Sequence, residues 1–280
     1  MAGVNVLEHI AKARAGVARV TSLLSLVSSV ALLSTTALVS SACAASVNWT
    51  GAVDGNWFNG SNWTPGAVPG GGDSVIINVG GAPVVIAAGT ASAASLKVGN
   101  SAAAALTIQA GGSLAVSGAA IIGGGVSANG SGVLTVQSGG SLATESAVIG
   151  EIAGSDGTVT VTGTGSIWQL GALRIGHFGN GSLTISDGGK VLQTGTVFIA
   201  ADSPAAVGDA PPVGIVTVTG VGSTWNAGTQ EFNVAYNGGT ATLNVEAGGT
   251  VINGTFVVGG AASATGNVLV DGVGSRVWTQ

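Results

Sequence analysis

The nine residues Leu106-Thr107-Ile108-Gln109-Ala110-Gly111-Gly112-Ser113-Leu114 decide the fold, because their pattern is repeated along the chain. The pattern is apolar-Thr-apolar-x-x-Gly-Gly-x-apolar, and its other copies occupy residues 134–142, 183–191 and, with Asn244 in the Thr position, 243–251. Each copy contains short apolar runs separated by glycine, which suits brief strands joined by tight turns. Internal repetition at such a period is typical of solenoid proteins.

A second unit alternates with the first and reads Val-Thr-Val-Thr-Gly-x-Gly-Ser-x-Trp. It runs from Val159 to Trp168 and from Val216 to Trp225, with a looser copy from Val268 to Trp278. Together the units begin at positions 106, 134, 159, 183, 216, 243 and 268, so they are 24 to 33 residues apart. The longest step contains the proline-bearing segment 201–213, which we interpret as an insertion loop.

The apolar runs within each unit are too short to pair as long hairpins. They suit a parallel β-helix, in which each strand pairs with its equivalent one coil later, about 4.8 Å along the axis. We therefore predict an all-β chain that forms a right-handed parallel β-helix of roughly eight coils over residues 75–280. The segment 45–74, which holds Trp49, Trp57 and Trp63, is expected to cap the first coil, because an open end exposes a strand edge.

The composition excludes several classes of protein. Glycine accounts for 50 of the 280 residues, 7% are charged and 46% are hydrophobic, which is the opposite of a disordered chain. The six prolines and the lack of glycine at every third position exclude collagen. The single cysteine, Cys43, excludes a disulfide framework, and a net charge of -5 argues against nucleic acid as a partner.

Residues 1–44 are predicted to form a helical signal peptide. Three basic residues precede its apolar stretch, namely Lys12, Arg14 and Arg19. The apolar stretch covers residues 23–39, and Ala42 and Ala44 follow with the spacing that signal peptidase recognises, so we predict cleavage after Ala44. Lipid attachment at Cys43 is an alternative, although Ser40 stands where a leucine-like side chain is expected.

The tryptophans of the second unit are the candidate surface-binding residues. Trp168, Trp225 and Trp278 recur every second coil, so we expect them to form one partly exposed face. A carbohydrate-binding stripe is one interpretation of this face, and a cover over the edge of the core beside the Gly-Ser turns is the other.

The sequence predicts no catalytic, cofactor or metal site. Without the signal peptide the chain holds one histidine, His177, and no cysteine, which are too few ligands for zinc. The densest acidic group comprises Glu145, Glu151 and Asp156. We expect this group to approach Arg174 and His177 one coil later. Most such residues are solvated turn positions, so we interpret the protein as non-enzymatic.

The tryptophan-rich start carries a family resemblance. The run Trp49-x7-Trp57-x5-Trp63-x5-Pro69-x-x-Gly72-Asp73-x-Val75-x-Ile77 resembles the start of the passenger domains of bacterial autotransporters, and the glycine-rich coils resemble their repeats. The resemblance implies export through the inner membrane and display of a β-helical passenger on the outer membrane or its release. The C-terminal translocator barrel of that family is missing, which predicts a truncated passenger or one that a separate translocator moves.

The function predicted from these features is that of a structural or adhesin-like cell-surface passenger. Its expected partners are the export machinery, an outer-membrane translocator, and a glycan or protein of a host surface or the extracellular matrix; without a translocator it would stay in the periplasm. The alternatives are a polysaccharide-degrading lyase or glycosidase on the same scaffold, and an inactive orphan passenger fragment. A pair of carboxylates about 5 to 9 Å apart in a groove would favour the enzyme.

Overall fold

Stacked parallel strands dominate the structure. The computed structural model describes residues 45–126, 129–200, 202 and 209–280. They form a parallel β-solenoid of about nine turns, so the predicted all-β fold of parallel coils is confirmed. The signal peptide predicted at 1–44, with Ala42, Cys43 and Ala44, lies outside the described residues, as does most of the insertion predicted at 201–213.

The strands of the solenoid belong to two sheets. The larger, 15-stranded sheet contains β1 (Ser46–Trp49), β2 (Trp63–Thr64), β3 (Ser74–Ile77), β5 (Gly89–Ala93), β6 (Ser95–Val98), β8 (Gly112–Ile122), β10 (Ser141–Ile149), β12 (Ile167–Ile175), β14 (Lys190–Gln193), β15 (Val197–Ile199), β17 (Thr224–Asn226), β18 (Phe232–Val234), β20 (Thr250–Asn253), β21 (Phe256–Val258) and β23 (Arg276–Thr279). The 8-stranded sheet contains β4 (Val84–Ile86), β7 (Ala103–Ile108), β9 (Ser131–Gln137), β11 (Asp156–Thr162), β13 (Asn180–Ser186), β16 (Val213–Thr219), β19 (Thr240–Glu246) and β22 (Thr265–Asp271). The helix of the described residues is a three-residue 3-10 turn, Gly60–Asn62, and no helix among them is long and apolar enough to cross a membrane.

Equivalent residues of successive repeats stack directly on one another. One such column in the smaller sheet contains Leu106, Leu134, Val159, Leu183, Val216 and Leu243. Each of these side chains is fully buried, and each is the first apolar residue of a repeat unit. Burial of a side chain of this size stabilises the fold by about 1.5–3 kcal/mol, so the repeated positions of the sequence are the core positions of the solenoid.

The segment at 45–74 supplies a strand to the stack. β1 pairs in parallel with β3, while β2 pairs antiparallel with β1 on its other side. The indole ring of Trp63 lies 4.8 Å from the rings of both Trp49 and Trp57, edge to face in each case. The structure has about nine turns, in agreement with the predicted roughly eight coils.

Polar side chains fix the loop beneath these tryptophans. The buried side-chain oxygen of Asn62 accepts hydrogen bonds from the backbone N–H groups of Val53 (2.9 Å) and Asp54 (3.1 Å), and its amide donates to the Asp54 carboxylate (2.6 Å). The pKa of Asp54 is held below its ordinary value by the backbone N–H of Asn56 first, then by the side chains of Asn62 and Asn59. The loop is therefore ordered by bonds to a charged carboxylate.

Small residues form a column at the start of the strands in the smaller sheet. It contains Ala104, Gly132, Gly157, Gly181, Gly214, Ala241 and Gly266. A Cβ atom at Gly157 would overlap the carbonyl oxygen of Ile122 and the backbone nitrogen of Gly150. Glycine is required there because the chain leaving the preceding turn passes directly against the strand.

Gly157→Ala is expected to lower the free energy of unfolding by about 1–3 kcal/mol, because the new methyl group must displace backbone atoms. The matched control is Gly72→Ala, where the added Cβ would have no heavy atom within 4 Å and the change should stay within about 0.5 kcal/mol. Urea unfolding followed by far-UV circular dichroism measures both. Equal stability of the two variants would contradict the close packing.

Candidate functional site

A groove runs along the outside of the larger sheet and crosses five successive turns. Its volume is about 740 Å³. One side is a column of outward-facing residues in register, namely Ser92, Ala115, Ala143, Gln169 and Leu192. Neighbouring turns are about 4.8 Å apart, so each turn adds one side chain to the wall at a regular spacing. We call this feature the axial groove.

The axial groove follows an interruption in the long strands. In β10 the regular alternation of buried and exposed side chains breaks between buried Thr144 and Ala147, where neither Glu145 nor Ser146 is buried. The pairing of β8 with β10 shifts register at this point, and such a bulge bends a strand. The second wall of the groove consists of residues at the interruption, namely Ser117, Glu145, Gly171 and Thr194.

The axial groove is nearly uncharged. Of the lining residues that the structure describes, Glu145 is the one ionisable group, and its side chain is exposed. The remaining polar groups are hydroxyls and the amide of Gln169, while Ala115, Ala143 and Leu192 contribute apolar surface. Hydrolysis of a glycosidic bond by the common two-carboxylate mechanism needs a second carboxyl group, which the described lining lacks.

The three acidic residues that lie close together in the sequence, Glu145, Glu151 and Asp156, belong to different elements of the structure. Glu145 faces the axial groove from β10, whereas Asp156 begins β11 in the smaller sheet and accepts a hydrogen bond from the Asn180 amide (2.9 Å). Glu151 follows β10 in the turn between them. The stack does bring Glu151 close to His177 one coil later, because the backbone N–H of His177 donates to the carbonyl oxygen of Gly150 at 3.0 Å. The ion pairs of the Arg174 and His177 side chains are nevertheless formed with Asp202.

Arg174 and His177 both contact Asp202. The guanidinium Nη1 of Arg174 lies 2.9 Å from Asp202 Oδ2, and Nε2 of His177 lies 3.5 Å from the same oxygen. Arg174 also lies over the ring of Phe198, 5.2 Å from its centroid, and Nδ1 of His177 is buried without a hydrogen-bond partner. No cluster of three or more potential metal-ligating side chains occurs among the described residues. This arrangement anchors Asp202 to the stack.

The expectation of an exposed face formed by the three tryptophans is wrong for two of them. Trp168 and Trp225 are fully buried. The indole Nε1 of Trp168 donates to Thr144 Oγ1 at 3.2 Å, and that of Trp225 donates to Gln193 Oε1 at 3.0 Å. A buried indole requires such a partner, so these tryptophans belong to the core.

Trp278 occupies a different position in the register. It aligns with Ile252 and Asn226, whereas Trp225 aligns with Val251. The third copy of the unit has one more residue between serine and tryptophan than the other two, and a one-residue shift moves a side chain to the other face of a strand. The side chain of Trp278 is accordingly 55% exposed.

The family of the chain is established by comparison with known proteins. A family described as "Domain of unknown function (DUF8693)" matches residues 48–203. The chain belongs to this family. The match includes the tryptophan-rich segment at the start of the solenoid and every residue that we name in the axial groove.

Two curated relatives resemble part of this DUF8693 protein. One is "Adhesin BmaC autotransporter" of Brucella suis biovar 1 (strain 1330), 34% identical over 132 residues, which are 45% of this chain and 4% of the relative. The other is "Uncharacterized lipoprotein YdeK" of Escherichia coli (strain K12), 32% identical over 130 residues, which are 45% of this chain and 9% of the relative. The matches thus cover only a small part of either relative. No solved structure matches. The adhesin relative and the β-solenoid together fit a passenger domain.

Trp225→Phe is expected to lower the free energy of unfolding by about 1–3 kcal/mol, because it leaves Gln193 Oε1 buried without its donor. The matched control is Trp278→Phe, which changes an exposed ring and should stay within about 0.5 kcal/mol. Urea unfolding measures both. If the two variants lose the same stability, the assignment of Trp225 to the core fails.

Burial of His177 predicts a dependence of stability on pH. Burial lowers its pKa from the ordinary 6.5, an effect that Asp202 opposes and Arg174 reinforces. The unfolded chain regains the ordinary pKa, so the unfolded state binds more protons as the pH falls through 6.5, and the free energy of unfolding decreases. Urea unfolding at pH 7.5 and 5.5 should show this decrease, and His177→Gln should weaken it. An unchanged dependence in that variant would exclude His177 as the cause.

Proposed function

We propose that this chain is an exported, adhesin-like β-helical protein of the bacterial cell surface, comparable to an autotransporter passenger. The observation that carries the proposal is the solenoid itself, combined with 34% identity over 132 residues to an autotransporter adhesin. A stack of in-register turns forms a long, regular surface from repeated copies of one short unit. Such a rod suits a role in projecting or presenting a binding surface.

The signal peptide predicted at 1–44 supports export. We propose that signal peptidase cleaves after Ala44, that the chain crosses the inner membrane, and that an outer-membrane translocator brings it to the surface. The lipoprotein relative keeps lipid attachment at Cys43 as the alternative form of anchoring. In either form the solenoid lies in the cell envelope or outside it.

A binding role rather than a catalytic one is supported by the axial groove. Its described lining contains one carboxylate, Glu145, and no histidine, cysteine or lysine. Acid–base catalysis and covalent catalysis both need groups with suitable pKa values in contact with the substrate. We propose that the protein is non-enzymatic and that its partner is a glycan or a protein of a host surface or the extracellular matrix.

The export part of the proposal is tested by expressing the full chain in a Gram-negative host. Mass spectrometry should find a mature chain beginning at Ala45. Protease treatment of intact cells should degrade it in a host that co-expresses a translocator, and only after permeabilisation of the outer membrane in a host without one. The double variant Ala42→Arg/Ala44→Arg should accumulate uncleaved, whereas Ser41→Ala, outside the two recognised positions, should be processed normally. An uncleaved cytoplasmic wild-type chain would overturn export.

The adhesive part is tested with beads coated with the purified chain. These beads should bind to an immobilised matrix extract or to cultured host cells at least several-fold more than beads coated with serum albumin. Binding no greater than that of the albumin beads would overturn the adhesin role and leave the export result unaffected.

A further inference from the structure

We propose that the axial groove binds a linear, uncharged glycan, with the chain of sugar rings lying along the solenoid axis. This inference rests on the proposed adhesin-like function and assigns a site and a ligand class to it. It is based on the shape of the groove, on its charge, and on the strands beneath it, whose backbone groups are already paired on both sides.

The shape of the groove selects an extended ligand. The groove crosses five turns, from Ser92 to Leu192, and the register places one outward side chain per turn along it. With about 4.8 Å between turns, its length is roughly 20 Å. Its volume of about 740 Å³ lies within the range of natural ligand pockets. Small side chains keep it open, notably those of Ala115 and Ala143.

The charge of the groove selects an uncharged ligand. Glu145 lies in the third of the five turns, and no lysine or arginine occurs among the lining residues that are described. A polyanion such as polygalacturonate would place its carboxylates beside Glu145 without a compensating cation. A neutral glycan carries hydroxyl groups that donate to the carboxylate of Glu145 and exchange hydrogen bonds with Gln169 and Thr194.

The backbone under the groove disfavours a peptide added as a strand. Strand addition requires a free sheet edge, whereas the strands below the groove, β8, β10 and β12, are each paired on both sides. The ligand must therefore bind through side chains alone. Sugar rings provide C–H faces for the accessible apolar surface of Ala115, Ala143 and Leu192, together with hydroxyl groups for the walls.

A buried hydroxyl holds the floor of the groove in place. Thr144 is 7% exposed and lines the groove. Its Oγ1 accepts the indole N–H of Trp168, which is fully buried, so the hydroxyl faces the core and fixes the floor from below. A floor that the core holds in place suits a binding site that is formed before its ligand arrives.

The experiment measures binding of defined oligosaccharides to the full chain by isothermal titration calorimetry. Cellohexaose and hexa-N-acetylchitohexaose are the neutral probes, and hexagalacturonate is the anionic probe of similar length. At least one neutral probe should bind, and hexagalacturonate should bind at least about tenfold more weakly than that probe. Absence of binding by both neutral probes, or stronger binding of hexagalacturonate, would overturn the proposal.

Variants then locate the binding site. Ala143→Arg places a long side chain in the groove beside Glu145 and should weaken binding of the neutral probe at least about tenfold, and Gln169→Ala should weaken it several-fold. The matched control is Thr158→Arg, an exposed position in the smaller sheet, which should bind like the wild type. Urea unfolding midpoints verify that each variant is folded. Wild-type affinity in folded Ala143→Arg would place the site elsewhere and overturn the assignment.

The bead assay separates this inference from the adhesin function. Beads coated with Ala143→Arg should lose adhesion while beads coated with Thr158→Arg retain it. Full adhesion by the Ala143→Arg beads, combined with a lack of oligosaccharide binding, would overturn the groove assignment and leave the adhesin function standing. If the chain binds the oligosaccharide but does not adhere to cells or matrix, the adhesin function is overturned and the groove assignment stands.

Discussion

In-register parallel stacking is the constraint on which the rest of this structure depends. Each strand hydrogen-bonds to its equivalent in the turns before and after it, so like residues meet like along columns such as Leu106, Leu134 and Val159. An apolar column is stabilising in this arrangement, whereas a column of equal charges would repel. The chain has few charged residues because stacked charges of one sign would repel. It has many glycines because the turns between short strands must close tightly.

The stacking rule also explains why the fold could be predicted so well from sequence. The repeated apolar positions define inward-facing columns, and the Gly-Gly pairs define the turns. The same reasoning predicted the position of the tryptophans poorly. Successive side chains of a strand point alternately to the core and to the solvent. One additional residue before Trp278 therefore leaves its ring exposed, whereas the ring of Trp225 is buried.

The axial groove could not be predicted from the sequence, for a different physical reason. It arises where a bulge interrupts strands that are otherwise regular, and its walls are residues such as Ala115, Ala143 and Ser117. These residue types are common at exposed strand and turn positions throughout the chain and carry no chemical signature. Glu145 was recognisable as part of an acidic group, but the other two members of that group, Glu151 and Asp156, do not line the groove.

The buried tryptophans and the groove are nevertheless connected. Trp168 donates its indole N–H to Thr144, which lines the groove floor. Trp225 donates its indole N–H to Gln193, the last residue of β14 in the same sheet. Gln193 in turn donates to the carbonyl oxygens of Gly195 and Thr196, at the interruption between β14 and β15. The large side chains of the core thus fix the interruption that creates the groove. A flexible floor would have to lose conformational entropy when a ligand binds; a floor held by core hydrogen bonds has already lost it on folding.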